Sequence, residues 1–183
     1  MRMPGLGGEV LSRHGVATVN IPGGELFTAL STGTIDATEW VGPYNDLAFG
    51  LYKAAKHYYY SGWHEPGPTL EAIVNKEAFD ALPDDLKAIV EAACAATNVR
   101  MQSEYVARNQ QALETLINEH GVKLHAWPEE ITNALRETSK QVLEEFAAAD
   151  PFTRRVYDSF KAFRAQAAAS TRLAEEHFLA TRG

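Results

Sequence analysis

The sequence predicts an α/β fold in which short parallel strands alternate with helices and two much longer helices follow. Three observations support this prediction. Residues 1–40 alternate β-branched runs with helical ones in the order strand, helix, strand, helix, strand, and such units favour a parallel sheet. Residues 83–119 repeat apolar side chains every three or four positions, and residues 151–181 do the same.

The first third of the chain contains the predicted sheet. Pro4 ends the opening strand because proline has no N–H to donate to a ladder. Gly42-Pro43 ends the third strand, and Pro43 begins a helix. The predicted elements are a strand end at 1–4, a helix up to Gly15, a strand at 16–21, a helix at 25–31, a strand at 34–40 and a helix at 43–55.

The remaining elements are mostly helical. They are predicted as strands at 58–60 and 70–75, a short helix at 77–82, the long helix at 83–119, a strand at 122–127 and helices at 129–149 and 151–181. At 1.5 Å per residue the long helix measures roughly 50 Å, which exceeds the diameter of a small domain. It therefore crosses between lobes, kinks or projects. Cys94, which lies in it among Ala and Val, is predicted to be a small buried hydrophobe.

Composition excludes several classes of function. A chain of 183 residues suits one domain or parts of two, and 45% hydrophobic residues indicate a globular core. The net charge of −7 argues against nucleic acid, so an anionic ligand needs a local Arg or a metal ion. A single cysteine excludes an internal disulfide and a cysteine-based zinc site. No Ser/His/Asp arrangement or phosphate loop is visible.

A carboxylate, an indole and a chain breaker occur together in residues 33–46, which read GTIDATEWVGPYND. Strand ends followed by irregular backbone are where open α/β sheets expose ligand-binding groups. Glu39 and Trp40 stand at such a strand end, which makes them candidates for a binding site. An ordinary edge strand with a surface Glu and a packed Trp would show the same spacing.

Longer motifs point to a family. MRMPGLGGEVL at 1–11 and NIPGGELFTALSTGTIDATEWVGPYNDLAFGLYKAAKHYYYSGWHEPG at 20–67 resemble the solute receptors of tripartite ATP-independent periplasmic (TRAP) transporters. The resemblance is to the branch that binds α-keto acids or lactate, and it covers only the C-terminal part of a family member. It implies a two-lobed periplasmic-binding-protein-like fold and a periplasmic address. Met1 is then an internal methionine of a longer receptor or the start of a truncated frame, since no apolar signal segment follows it.

The resemblance also implies a domain organisation. Residues 1–38 form part of one α/β lobe and residues 39–82 part of the other. Residues 83–121 form the lobe-spanning helix, and residues 122–183 the C-terminal strand and helices. Within the last part, the apolar stripe of residues 151–181 either lies back on its own domain or pairs with a second copy, and we expect a homodimer through it.

Site residues follow from the same resemblance. Arg2 is expected to clamp the substrate carboxylate, whose geometry the planar guanidinium matches. The Glu39 carboxylate and the Trp40 main-chain carbonyl are expected to ligate a hard cation, with the Trp40 indole packed over the substrate. Glu65 is expected to complete the metal shell and contact the substrate. Oxygen ligands suit Na⁺ or Ca²⁺ rather than zinc. For neighbouring His64, an orienting or surface role is expected because neutral imidazole is a poor Na⁺ ligand.

The predicted function is an extracytoplasmic solute-binding receptor of a TRAP-type transporter. It would bind a small monocarboxylate, such as pyruvate or lactate, together with a bridging cation, and deliver it to the membrane subunits. Two alternatives remain open. The chain could be a non-binding helical module that oligomerises through residues 151–181, or an enzyme acting on keto acids with Glu39 or Glu65 as base. We expect a binding protein without catalytic residues.

Overall fold

The computed structural model describes residues 1–182 and contains two compact units, one over Met1–Thr132 and one that begins at Asn133. The helices are α1 (Gly5–Arg13), α2 (Leu26–Ser31), α3 (Pro43–Ala48), α4 (Lys76–Asp80), α5 (Asp84–Asn118), α6 (Glu129–Ala147), α7 (Pro151–Thr171) and α8 (His177–Thr181). The strands are β1 (His57–Tyr60) and β2 (Lys123–Ala126). Among residues 1–182, no helix combines the length and the apolar character needed to cross a membrane.

All strand pairing in the described residues is parallel, as predicted. β1 pairs with β2, and Tyr58 lies opposite Leu124. Near the N-terminus, Arg2 forms parallel bridges with Val19 on one side and Thr38 on the other. The strands predicted at 16–21 and 34–40 therefore shrink to single bridges. Pro4 explains this shortening. The segment around Arg2 lies between the other two, and it cannot donate a further ladder hydrogen bond at Pro4 because proline has no N–H.

One cluster of buried apolar side chains in the first unit forms around α2. Leu26 and Ala29 of α2 are buried with Ile35 and Leu51. Ile21, Leu30 and Trp40 are partly buried against the same cluster. The burial of these side chains provides the main stabilisation of this region. It also holds the backbone of residues 35–40 against α2, which positions the Glu39–Trp40 pair.

α5 confirms the predicted long helix, with 35 residues. Its C-terminal half packs on α3, and Tyr44 of α3 contributes a hydrogen bond and a ring contact. The Tyr44 N–H donates to Asn109 Oδ1 at 3.0 Å, and the Tyr44 ring meets the Tyr105 ring edge-on with centroids 5.8 Å apart. The buried residues of α5 are Ala112 and Leu116, near its C-terminal end. Cys94 is exposed in the N-terminal half, so the prediction that it is buried was wrong.

Two other predicted elements differ from the structure. Residues 70–75 form no strand, and Ile73 is 87% exposed. β-branched residues favour a strand where neighbouring segments pack against it. Within residues 1–182, no strand pairs with residues 70–75. The helix predicted at 43–55 is interrupted at Gly50, whose φ of +68° lies in the left-handed region that favours glycine. A short 3₁₀ turn, Leu51–Lys53, follows.

The second unit contains most of α6 together with α7 and α8. The predicted separation of the helices at 129–149 and 151–181 is confirmed: the Asp150 carboxylate accepts hydrogen bonds from the N–H groups of Phe152 and Thr153. These bonds cap the helix. The hydrogen bond from the Thr153 hydroxyl, followed by those from the two N–H groups, lowers the pKa of Asp150. Arg154 and Lys161 both donate to Glu144 at 2.8 Å, which ties α7 to α6. A π-helical turn, Arg172–Glu176, joins α7 to α8, so the predicted helix at 151–181 is nearly continuous.

Candidate functional site

Hydrogen bonds to both its backbone and its side chain fix Arg2, although it is the second residue of the chain. Its backbone N–H donates to Ala37 O at 2.9 Å, and its carbonyl accepts from the Glu39 N–H at 3.4 Å. Its Nε donates to Ile21 O at 3.3 Å, and its side chain is 12% exposed. The guanidinium therefore has one orientation, as a carboxylate clamp requires.

Arg2 and Glu39 form a direct ion pair between Nη1 and Oε1, and both side chains are mostly buried. The family resemblance implied that Arg2 binds the substrate carboxylate and that Glu39 binds the cation. It did not predict that the two side chains would contact each other. Loss of either partner would be costly, because the remaining charge would be left buried with little access to solvent. In this pair the Glu39 carboxylate neutralises the positive charge of Arg2.

The Trp40 indole lies between the Arg2 guanidinium and the core. Arg2 Cζ is 5.5 Å from the indole centroid, within the range of a cation–π contact, and the Phe49 ring centroid is 5.2 Å away. The indole Nε1 is buried and has no hydrogen-bond partner in residues 1–182. An unpartnered buried donor is costly, so this N–H is suited to an acceptor on a bound molecule.

Gly23 makes room for this indole. A Cβ at position 23 would lie 2.4 Å from Trp40 Cη2. We therefore expect Gly23→Ala to displace the indole and lower the free energy of unfolding by about 1–3 kcal/mol, the usual cost of overpacking. Chemical denaturation followed by tryptophan fluorescence measures it. Gly24→Ala is the matched control, because nothing lies within 4 Å of its Cβ position. Equal effects of the two substitutions would contradict the packing role of Gly23.

Glu65 and His64 meet Glu39 from the loop that follows β1. One potential ligand atom from each of the three side chains lies within 4.8 Å of the other two. The predicted convergence of Glu39 and Glu65 is therefore seen in the geometry, although they are 26 positions apart in the chain. Their carboxylate oxygens match the ligands that hard cations prefer, so the residues fit the implied ion. The Trp40 main-chain carbonyl stays a predicted ligand.

Asp46 is a residue that the sequence reasoning missed. It is 7% exposed, and its Oδ2 accepts a 2.5 Å hydrogen bond from the Tyr58 hydroxyl. Burial, and to a smaller extent the negative charge of Glu39, raises the pKa of Asp46 to about 6 against the lowering effect of hydrogen bonds from Tyr58 and the Gly42 backbone. Its Oδ1 is buried without a partner in the described chain. The sequence did contain a signal for Asp46: it lies in the first turn of a helix that begins with Pro43, three residues after that chain breaker.

Comparison with known proteins gives the context of this geometry. Residues 1–150 match the family model described as bacterial extracellular solute-binding protein, family 7 (DctP). A monocarboxylate 2-oxoacid-binding periplasmic protein of Nostoc sp. is 46% identical over 175 residues, which is 96% of this chain and 48% of that protein. The chain thus spans about half the length of this relative.

Solved structures agree with the sequence comparison. A TRAP periplasmic solute-binding protein from Pseudoalteromonas atlantica, with bound sodium and pyruvate, has a TM-score of 0.93 and 41% identity over 99% of this chain and 55% of its own. A second, from Bordetella bronchiseptica, is a mixed-occupancy dimer with calcium and picolinate in one site. It has a TM-score of 0.92 and 40% identity, over 97% of this chain and 53% of its own.

These relatives share the fold described above, so the chain has the C-terminal part of a two-lobed α/β binding-protein fold. The finer division at residues 38, 82 and 121 stays a prediction. The family match covers most of the chain, and relatives of 40–46% identity extend over nearly all of it. The chain therefore belongs to the bacterial extracellular solute-binding proteins of family 7, the DctP family.

Proposed function

We propose that the chain is part of a periplasmic receptor that binds a small monocarboxylate for a TRAP-type transporter and catalyses no reaction. The ligand is a 2-oxo acid such as pyruvate, or lactate, held together with Na⁺ or Ca²⁺. The observation that carries this proposal is the convergence of Arg2 with Glu39, and of Glu39 with Glu65, beside the Trp40 indole. The relatives with pyruvate or 2-oxoacid in their names support the ligand class.

Each residue has a role that its geometry allows. Arg2, oriented by Ile21 O, offers its remaining N–H groups to the ligand carboxylate. Glu39, Glu65 and the Trp40 main-chain carbonyl would hold the cation. When bound, that ion supplies positive charge to the carboxylate and α-oxygen of the acid. The indole forms an apolar wall and offers Nε1–H as a donor. Delivery to the membrane subunits would follow closure of two lobes around the ligand.

The Arg2–Glu39 pair makes the two ligands depend on each other. Without a cation, Glu39 cancels the charge of Arg2, and a chain of net charge −7 offers little attraction to an acid. With a cation held by Glu39 and Glu65, Arg2 would pair its charge with the ligand carboxylate instead of with Glu39. Binding of either ligand should therefore tighten binding of the other by the same factor.

Titration calorimetry with pyruvate, with and without Ca²⁺, tests the proposal. The experiment uses the 183-residue chain and a chimera in which the unmatched part of the Pseudoalteromonas relative is joined to it. We expect heat from pyruvate that grows with Ca²⁺ concentration, and no consumption of pyruvate or lactate. Absence of pyruvate binding in both proteins would refute the receptor function, and turnover would support the enzyme alternative.

Self-association is a separate part of the proposal. α7 exposes Phe152, Val156, Phe160 and Phe163 at helical spacing, and α8 exposes Phe178. Such a stripe suits a second copy of the chain, and the Bordetella relative is a dimer. We expect a homodimer in sedimentation equilibrium and a monomer after Phe160→Glu. A monomeric wild-type chain would contradict this part and leave ligand binding unaffected.

A further inference from the structure

The loop that presents Glu65 folds back on itself directly after β1. A Cβ added to Gly62 would lie 2.3 Å from the main-chain oxygen of Glu65 and 3.5 Å from its carbonyl carbon. Glycine is the residue that allows two backbone segments to approach so closely. The Glu65 carbonyl is part of the backbone, so it cannot rotate away as the end of a flexible side chain can. The Glu65 backbone therefore keeps this position only while residue 62 has no side chain.

Trp127, the first residue after β2, holds the beginning of the same loop. Its indole Nε1–H donates to Ser61 O at 3.0 Å, and its main-chain N–H donates to Tyr60 O at 3.3 Å. The Tyr59 ring packs on the indole with centroids 4.7 Å apart. Two hydrogen bonds and a ring contact thus join the start of the loop to β2, which lies far away along the chain.

The place of the Glu65 carboxylate depends on this loop. The Glu65 side chain is 49% exposed, whereas that of Glu39 is 19% exposed and is ion-paired with Arg2. Surrounding side chains therefore restrain Glu65 less than Glu39. One ligand atom of each carboxylate lies within 4.8 Å of the other, a separation that one ion with oxygen ligands at about 2.4 Å spans. A displaced loop would take the Glu65 carboxylate out of that range.

We propose that Gly62 and Trp127 are positioning residues for the cation site, which fix the loop backbone so that the Glu65 carboxylate faces Glu39. This inference rests on the proposed function, because it takes Glu65 as a ligand of the bridging cation. Gly62 and Trp127 act through Glu65 and supply no ligand atom themselves. They set the separation of the two carboxylates before an ion arrives, and such preorganisation of ligands by supporting residues strengthens binding.

Titration calorimetry with Ca²⁺, without organic acid, tests the role of Gly62. It is performed on the 183-residue chain and on the chimera described above. We expect Gly62→Ala to weaken Ca²⁺ binding about tenfold or more, the usual effect of losing a residue that orients a metal ligand. Gly67→Ala is the matched control, because it lies two residues beyond Glu65 in the same loop and nothing lies within 4 Å of its Cβ position. It should bind Ca²⁺ as the wild type does.

Trp127→Phe tests the other contact. It keeps an aromatic ring against Tyr59 and removes the N–H that donates to Ser61 O. We expect Ca²⁺ affinity to fall about tenfold. The same substitution in a Glu65→Gln background should change Ca²⁺ affinity little, because the charged ligand that it would displace is already gone. Gly62→Ala should behave in the same way in that background. A merely structural role predicts equal losses in both backgrounds.

A measurement without metal completes the test. His64 Nε2 lies 3.4 Å from Glu65 Oε1, so the NMR resonances of the His64 ring report where the carboxylate lies. We expect these resonances to shift in Gly62→Ala and in Trp127→Phe and to keep their wild-type values in Gly67→Ala. Thermal melting shows that each variant is folded, and either of the two substitutions suffices for the test if the other prevents folding.

Two results would overturn the inference. The first is wild-type Ca²⁺ affinity together with unshifted His64 resonances in Gly62→Ala and Trp127→Phe. The second is an equal loss of Ca²⁺ affinity with Glu65 and with Gln at position 65. Neither result depends on pyruvate. Failure of the receptor function appears instead as absence of pyruvate heat in the presence of Ca²⁺, so the two ideas fail separately.

Discussion

Glu39→Gln is expected to weaken pyruvate binding by about 100-fold or more and to abolish its dependence on Ca²⁺. Glutamine keeps the shape of the side chain and can still accept a hydrogen bond from Arg2. It removes the negative charge that both Arg2 and the cation use. Charge-assisted hydrogen bonds contribute about 1.5–3 kcal/mol each, and cation affinity falls with the number of charged ligands. Calorimetry at several fixed Ca²⁺ concentrations measures both effects.

The control for this variant is Glu71→Gln, which removes the same charge from an exposed position outside the cluster. It should bind pyruvate as the wild type does, since a solvent-exposed charge outside the cluster is screened by water and salt. Pyruvate affinity that is the same in Glu39→Gln and the wild type would remove the metal-bridge proposal. An equal loss in both variants would show that net charge, rather than the site, controls binding.

Asp46→Asn is expected to stabilise the protein at pH 7.5 and to have little effect at pH 4. The folded-state pKa of Asp46, about 6, lies above the ordinary 3.8 because burial disfavours the charged form. The folded protein therefore holds this proton more tightly than the unfolded chain. The contribution of Asp46 to the free energy of unfolding is therefore fully present below about pH 4 and is lost as the pH rises through 6. The difference corresponds to about 3 kcal/mol, which a neutral Asn avoids.

Urea denaturation followed by tryptophan fluorescence measures this effect, because all three tryptophans lie in the unit that contains Asp46. Asp36→Asn removes an exposed carboxylate from a nearby segment and should leave the pH dependence as it is. Tyr58→Phe should act in the opposite direction, lowering stability at pH 7.5 by about 1–3 kcal/mol, since it removes the donor to a buried carboxylate. If Asp46→Asn differs from the wild type by the same free energy of unfolding at pH 7.5 and at pH 4, the assigned burial cost is contradicted.

The sequence predicted which residues belong to the candidate site, through their family motifs, but not all of the contacts between them. Family resemblance assigned Arg2, Glu39, Trp40 and Glu65 to one pocket, and the structure brings Arg2, Glu39 and Trp40 together with Glu65 close to Glu39. The family resemblance did not predict that Arg2 would pair with Glu39, because it assigned the substrate carboxylate to Arg2 and the cation to Glu39. An orienting or surface role was expected for His64 because neutral imidazole is a poor ligand for Na⁺. That chemical rule does not predict how close His64 lies to Glu39 and Glu65.

Local chemistry explains which parts of the fold the sequence by itself determined. The Asp150 cap, the break at Gly42-Pro43 and the 35-residue α5 depend on residues within a few positions of each other, so a linear pattern contains them.

Only the tertiary structure decided the rest. Asp46 became a buried acid because Tyr58 and the surrounding chain exclude water from it, Cys94 stayed exposed on an apolar-looking stripe, and residues 70–75 found no strand partner. Desolvation and pairing depend on which distant segments meet, and spacing along the chain does not encode that meeting.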